Sequence, residues 1–233
     1  MYFPYYYDPT YILVIIGIII TLAASAKVRS TFAKYSGVRS MSGMTGAQAA
    51  ERLLQASGIY DVKIEHVSGK LNDHYDPRTK VLRLSDSVYG QNSLSAIGVA
   101  AHECGHAIQH EQSYAPLKLR STLVPAANIG SMAAWPIIIL GIIMGYSQFL
   151  INLGIILFSL AVLFQLITLP VEFNASKRAI ARLGETGILH GEELQHSKKV
   201  LDAAALTYVA AAAATILQLL RLVLLFGGRN RDR

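Results

Sequence analysis

From Ser121 to Val171 the chain runs for 51 residues without one Lys, Arg, Asp, Glu or His. A helix long enough to hold that run is apolar on every face, which a water-soluble core cannot cover. Two membrane spans of about 20 residues joined by a short turn account for it. Gly145-Tyr146-Ser147-Gln148 supplies the turn, giving spans near Leu123 to Met144 and Phe149 to Pro170. Pro125 and Pro136 are tolerable in the first span because neighbouring helices satisfy the carbonyls they free.

Two further segments have the same character. Tyr11 to Ala26 is uncharged and follows Tyr5, Tyr6 and Tyr7, residues suited to the headgroup layer. Because the start carries only Asp8 and no basic residue, a retained span is favoured over a cleaved signal peptide. Ala203 to Leu220 is rich in alanine, and its small residues let it pack against other helices. Lys27, Arg29, Lys34 and Arg39 follow the first span, Lys118 and Arg120 precede the second, and Lys177, Arg178 and Arg182 follow the third. All fall on one side if the N-terminus is outside and 27–120 is cytoplasmic, so a multi-pass protein of the cell membrane is expected. Arg229, Arg231 and Arg233 violate that rule if the fourth segment crosses; the alternative is a segment that dips in without crossing.

The remainder is one modest water-facing portion. Lys27 to Arg120 carries 12 basic and 8 acidic residues, although the 233-residue chain as a whole is only 15% charged, against roughly a quarter in soluble domains. The net charge of +6 sits mostly beside the apolar segments, so it reads as membrane topology and no nucleic-acid partner is expected. The single cysteine, Cys104, excludes an intrachain disulfide framework. Thr45-Gly46-Ala47-Gln48 is a capping box opening a helix that stops near Gly58. Val62 to Val67 and Lys80 to Leu84 read as strands, the second following the turn signal Asp76-Pro77 and able either to pack in the core or to pair with an extended substrate. A longer helix begins around Ser93.

That helix contains His102-Glu103-Cys104-Gly105-His106, an H-E-x-x-H pattern. Positions i and i+4 lie about 40° apart around a helix, so His102 and His106 project side by side and can share a tetrahedral zinc. Glu103 is one position on, within reach of the attacking water without ligating the metal. Cys104 points away and reads as a small buried residue. A third protein ligand must come from elsewhere. His110 is one turn further along, where a straight helix recedes from the metal; the better candidate is Glu172, which ends the uncharged run on the side of the His pair. His74 is a structural histidine that could approach the site.

The residues AIGVAAHECGHAIQH, the span pair, EFNASKRA and LDAAALTYVAAA, with LNDHYDPRTKVLRLS before the zinc helix, resemble the YugP-like neutral zinc metallopeptidases of bacterial membranes. More distantly the chain is similar to integral-membrane gluzincins such as HtpX, which pair H-E-x-x-H with a later E-x-x-x-D. The resemblance implies a mainly α integral membrane protein with about four transmembrane helices and a small α+β zincin-like catalytic domain. It implies one Zn2+ per chain held by His102, His106 and Glu172, with Glu103 as general base in hydrolysis of a polypeptide substrate. The Asp of the distant pattern falls on Ser176, so Asn174 or Ser176 would have to orient a ligating histidine. Arg178, His190, His196 and Tyr208 are candidates for stabilising the oxyanion.

The organisation expected is an anchor at 1–26, a zincin-like part at 27–120, a membrane hairpin at 121–171, a cytoplasmic segment carrying the third ligand at 172–202, and a fourth membrane segment with a basic tail at 203–233. The competing function is a non-catalytic zinc-binding membrane scaffold or assembly factor, which would have no chemical need for Glu103. A transporter is disfavoured because the long apolar run holds no ionisable residue.

Overall fold

The computed structural model describes residues 8–227, so Tyr5 to Tyr7 and the tail arginines Arg229, Arg231 and Arg233 lie outside the described residues. The elements in chain order are α1 (Tyr11–Ser36), α2 (Gly46–Ala56), β1 (Lys63–Val67), β2 (His74–Asp76), β3 (Val81–Ser85), α3 (Leu94–Glu111), α4 (Ala115–Ile143), α5 (Gln148–Glu185) and α6 (Gly191–Phe226). They form two compact units, one of 8–23, 120–167 and 208–227, the other of 24–119 and 168–207.

Four helices, α1, α4, α5 and α6, are long and apolar enough to cross a membrane. Their outward surfaces are those of lipid-facing helices: Leu22 is 60% exposed, Ile129 61% and Phe149 75%. Within this unit α4 and α5 form a hairpin, turning at Gly145 and Tyr146, both with positive φ. Small residues set the spacing, since a Cβ on Gly130 would stand 2.7 Å from the Leu157 carbonyl oxygen. Ala134, Ile138, Phe158, Val162 and Leu222 form the unit's buried centre.

The fourth apolar segment lies antiparallel beside α1. Gly17 faces Ala214, and nearer the N-terminus the Arg221 Nη2 donates to Asp8 Oδ2 at 3.0 Å while its guanidinium covers the Tyr11 ring at 4.3 Å. Arg221 is thus held by a partner carboxylate and an aromatic face, an arrangement that offsets the cost of a cation at a membrane edge.

The second unit packs around α3. Ser93 caps α3 by accepting from the Ala96 N–H, and Thr45 caps α2 in the predicted capping box with Gln48. Most of α3 is buried, and its Ala and Gly residues allow α2, α5 and α6 to approach closely. Leu53, Leu82, Leu84, Leu94, Ile97 and Leu183 are fully buried around it. The sheet order is β1-β3-β2, with β3 parallel to β1 and antiparallel to β2. The β2–β3 turn is stabilised by Asp76, whose carboxylate accepts from the Arg78 N–H at 2.9 Å and the Thr79 hydroxyl at 2.8 Å.

One sequence expectation changes here. The strand at 80–84 is the middle of the sheet, so its backbone is already paired on both sides and cannot add a substrate strand. The helix carrying the third apolar span runs on past Pro170 through Glu172 to Glu185. Proline removes one N–H without ending a helix whose flanking turns are packed.

Gly105, inside the HECGH segment, is where α3 meets α5. A Cβ there would stand 2.4 Å from the Ala175 carbonyl oxygen. Gly105→Ala is therefore expected to push the helices apart, costing about 2–3 kcal/mol in overpacking. Thermal unfolding of the purified variant checks the cost, and a midpoint equal to that of wild type would contradict it.

Candidate metal centre

Two helices supply the site. From α3, His102 and His106 stand one turn apart with ring centroids 4.8 Å apart and planes at 86°. From α5, Glu172 points between them and is 2% exposed. His102 Nε2 lies 3.2 Å and His106 Nε2 3.5 Å from the same atom, Glu172 Oε2. One ligand atom from each of the three residues falls within 4.8 Å of the others.

These separations match the chemistry of the donor set. Ligands about 2.0–2.1 Å from a tetrahedral zinc stand about 3.4 Å apart along the tetrahedron's edges. The two edges from Glu172 Oε2 to the imidazole nitrogens, 3.2 and 3.5 Å, match that spacing, and all three ligand atoms lie within 4.8 Å of one another. His102, His106 and Glu172 thus fit a zinc ion.

The far nitrogens of both rings are occupied. His102 Nδ1 lies 3.0 Å from Ser176 Oγ, and His106 Nδ1 lies 3.1 Å from Gln109 Oε1. Gln109 is fully buried and its amide donates to the Val171 carbonyl at 2.8 Å and to Asn174 Oδ1 at 3.0 Å. Arg178 Nε donates to the same Asn174 oxygen at 2.6 Å, and its guanidinium also binds Gln112 and lies over the Tyr114 ring. A polar chain thus runs from His106 through Gln109 and Asn174 to Arg178. Burial opposes a charge on His106, but the bonded Glu172 carboxylate, with Glu103 and Gln109, reverses this and holds its pKa above the ordinary value.

Glu103 is 8% exposed and, among the described residues, enters no ion pair. Cys104 lies on the opposite side, 1% exposed with its Sγ 3.6 Å from the Ala50 carbonyl oxygen, and burial raises its thiol pKa.

The other singled-out histidines have surroundings of their own. His110 Nδ1 shares a hydrogen bond of 2.9 Å with the Tyr75 hydroxyl, and burial pushes that phenol up to about 12. His74, on β2, is exposed and bonds the Asn72 carbonyl. His196 stacks on Tyr35, and His190 is exposed between α5 and α6. Tyr208 belongs to the membrane-spanning unit. Gln109 escaped the sequence reading, although its position three residues after His106 puts it on the same helix face.

The chain belongs to the family described as "putative neutral zinc metallopeptidase", whose sequence profile matches residues 10–227. It is a membrane protein of that family, with four helices able to cross a bilayer and a small mixed sheet. Among curated relatives, the Bacillus subtilis (strain 168) protein named "putative membrane protease YugP" is 52% identical over 210 residues, covering 90% of this chain and 93% of the relative. No solved structure matches the chain.

Proposed function

We propose that this protein is a membrane-embedded zinc endopeptidase of the gluzincin type. The observation that carries the reading is the convergence of His102 and His106 Nε2 on the single Glu172 oxygen. His102, His106 and Glu172 would hold the metal, which when bound would supply Lewis acidity to the scissile carbonyl and acidity to the attacking water.

Glu103 is the general base in this reading. It takes the proton of the attacking water and returns it to the departing amine nitrogen. Ser176 takes the place of the missing carboxylate by accepting the His102 Nδ1 proton, and Gln109 does the same for His106. Asn174 and Arg178 brace Gln109, which makes Arg178 a positioning residue here in place of an oxyanion donor. We place the catalytic unit on the cytoplasmic side, supported by the Lys and Arg residues at 27–39, 118–120 and 177–182.

Removal of metal tests the class of chemistry. Purified protein is expected to cleave an unfolded polypeptide, to stop after chelation, and to recover when zinc is returned; cleavage that survives complete chelation contradicts the proposal. Gln109→Ala and Ser176→Ala are each expected to weaken zinc binding by roughly 10- to 100-fold. Competition with a chromophoric chelator measures it, and unchanged affinity in both would remove these residues from the site.

A further inference from the structure

In the water-facing unit α1 and α6 enclose a pocket of about 370 Å³, lined by Lys27, Thr31 and Lys34 on one helix and Lys199, Asp202 and Leu206 on the other. The spacings i, i+4, i+7 and i, i+3, i+7 put each set on one helix face. Tyr35, 5% exposed and stacked on His196 at 4.9 Å, also lines the pocket.

The depth of this pocket is written in the sequence. Lys27 is the first charge after Asp8 on α1, and Asp202 is the last before Arg221 on α6. Both helices therefore pass from apolar to charged at the pocket, the level at which a bilayer places its phosphates. The charge there is unbalanced. Asp202 is engaged by Lys198 at 2.7 Å, and among the described residues Lys27, Lys34 and Lys199 enter no ion pair. Three lysines around a concavity, with a threonine hydroxyl and the apolar walls of Ala203 and Leu206, match a phosphate joined to a glycerol and its first methylenes.

We propose that this pocket binds the headgroup phosphate of an anionic phospholipid. The inference is independent of the zinc site. A soluble anion would satisfy the lysines but has no use for the apolar walls or for the depth.

The test uses the full chain in nanodiscs of phosphatidylglycerol with phosphatidylcholine, and of phosphatidylcholine alone. Lysine acylation read by mass spectrometry should show Lys27, Lys34 and Lys199 of the wild-type protein protected by phosphatidylglycerol, with Lys118 and Lys177 unchanged. Equal protection of all five overturns the proposal. In a second arm, K27Q/K34Q/K199Q should lose retained phosphatidylglycerol after detergent extraction. At about fivefold per lysine the loss is on the order of a hundredfold. The control R29Q/K118Q/K177Q removes the same charge and should keep the lipid; equal retention by the two variants overturns the site. Displacement of the lipid by inorganic phosphate or an acidic peptide as readily as by phosphatidylglycerol overturns the lipid assignment. The wild-type footprint decides the matter if the triple variant does not fold.

Discussion

Glu103→Gln is expected to keep its zinc and lose cleavage by roughly 100- to 10,000-fold, the range a general acid–base contributes. The reasoning rests on what the substitution leaves alone. Glutamine is nearly isosteric with glutamate, so a position that is 8% exposed on a tightly packed helix still fits it. The three metal ligands are other residues, and their geometry is untouched. What disappears is a group able to take a proton from water and give it to an amine. Zinc content and peptide cleavage measured on one preparation separate the two effects. A variant that cleaves like wild type would remove Glu103 from the mechanism, and one that loses zinc would make it part of the metal site.

The second large effect is the converse. Glu172→Gln is expected to lose zinc, with affinity reduced on the order of 100-fold or more, beyond the range for residues that only orient a ligand. An amide replaces the anionic oxygen on which both imidazoles converge, in a place that is 2% exposed and offers little water as a substitute donor. Cleavage should fall with the metal and return in part at high zinc concentration. Unchanged zinc content would move the third ligand elsewhere. Together the two variants give opposite patterns: one retains metal without activity, the other loses both.

Much of this architecture was legible because it depends on local patterns. The capping residues Thr45 and Ser93 mark their helices, the uncharged run marks the hairpin, and the four-residue spacing of His102 and His106 puts two imidazoles on one face. The candidate role of Glu172 followed from topology, since a hairpin returns the chain to the side it left. What was not legible depends on contacts distant in sequence. β2 is only three residues long and takes its strand form from pairing with β3, while the central place of β3 requires β1 and β2 to come in on opposite sides. Gln109 sits on the right face, yet its importance emerges only when Val171 and Asn174 arrive from α5. Gly105 reads as a blemish in a helix until the Ala175 carbonyl is seen where its side chain would be. The continuation of α5 beyond Pro170 was hidden by the change in composition, because the hydrogen-bond ladder of a helix does not end where its apolar face ends.

The central claim is that α5 completes with a carboxylate a zinc site begun by two histidines on α3. X-ray absorption at the zinc edge of the purified, membrane-extracted protein tests it most directly. The account predicts two imidazole nitrogens at ~2.0–2.1 Å, with the remaining positions filled by oxygen at ~2.0–2.2 Å. A third imidazole, a sulfur ligand at ~2.3 Å, or no zinc in the folded protein would contradict it.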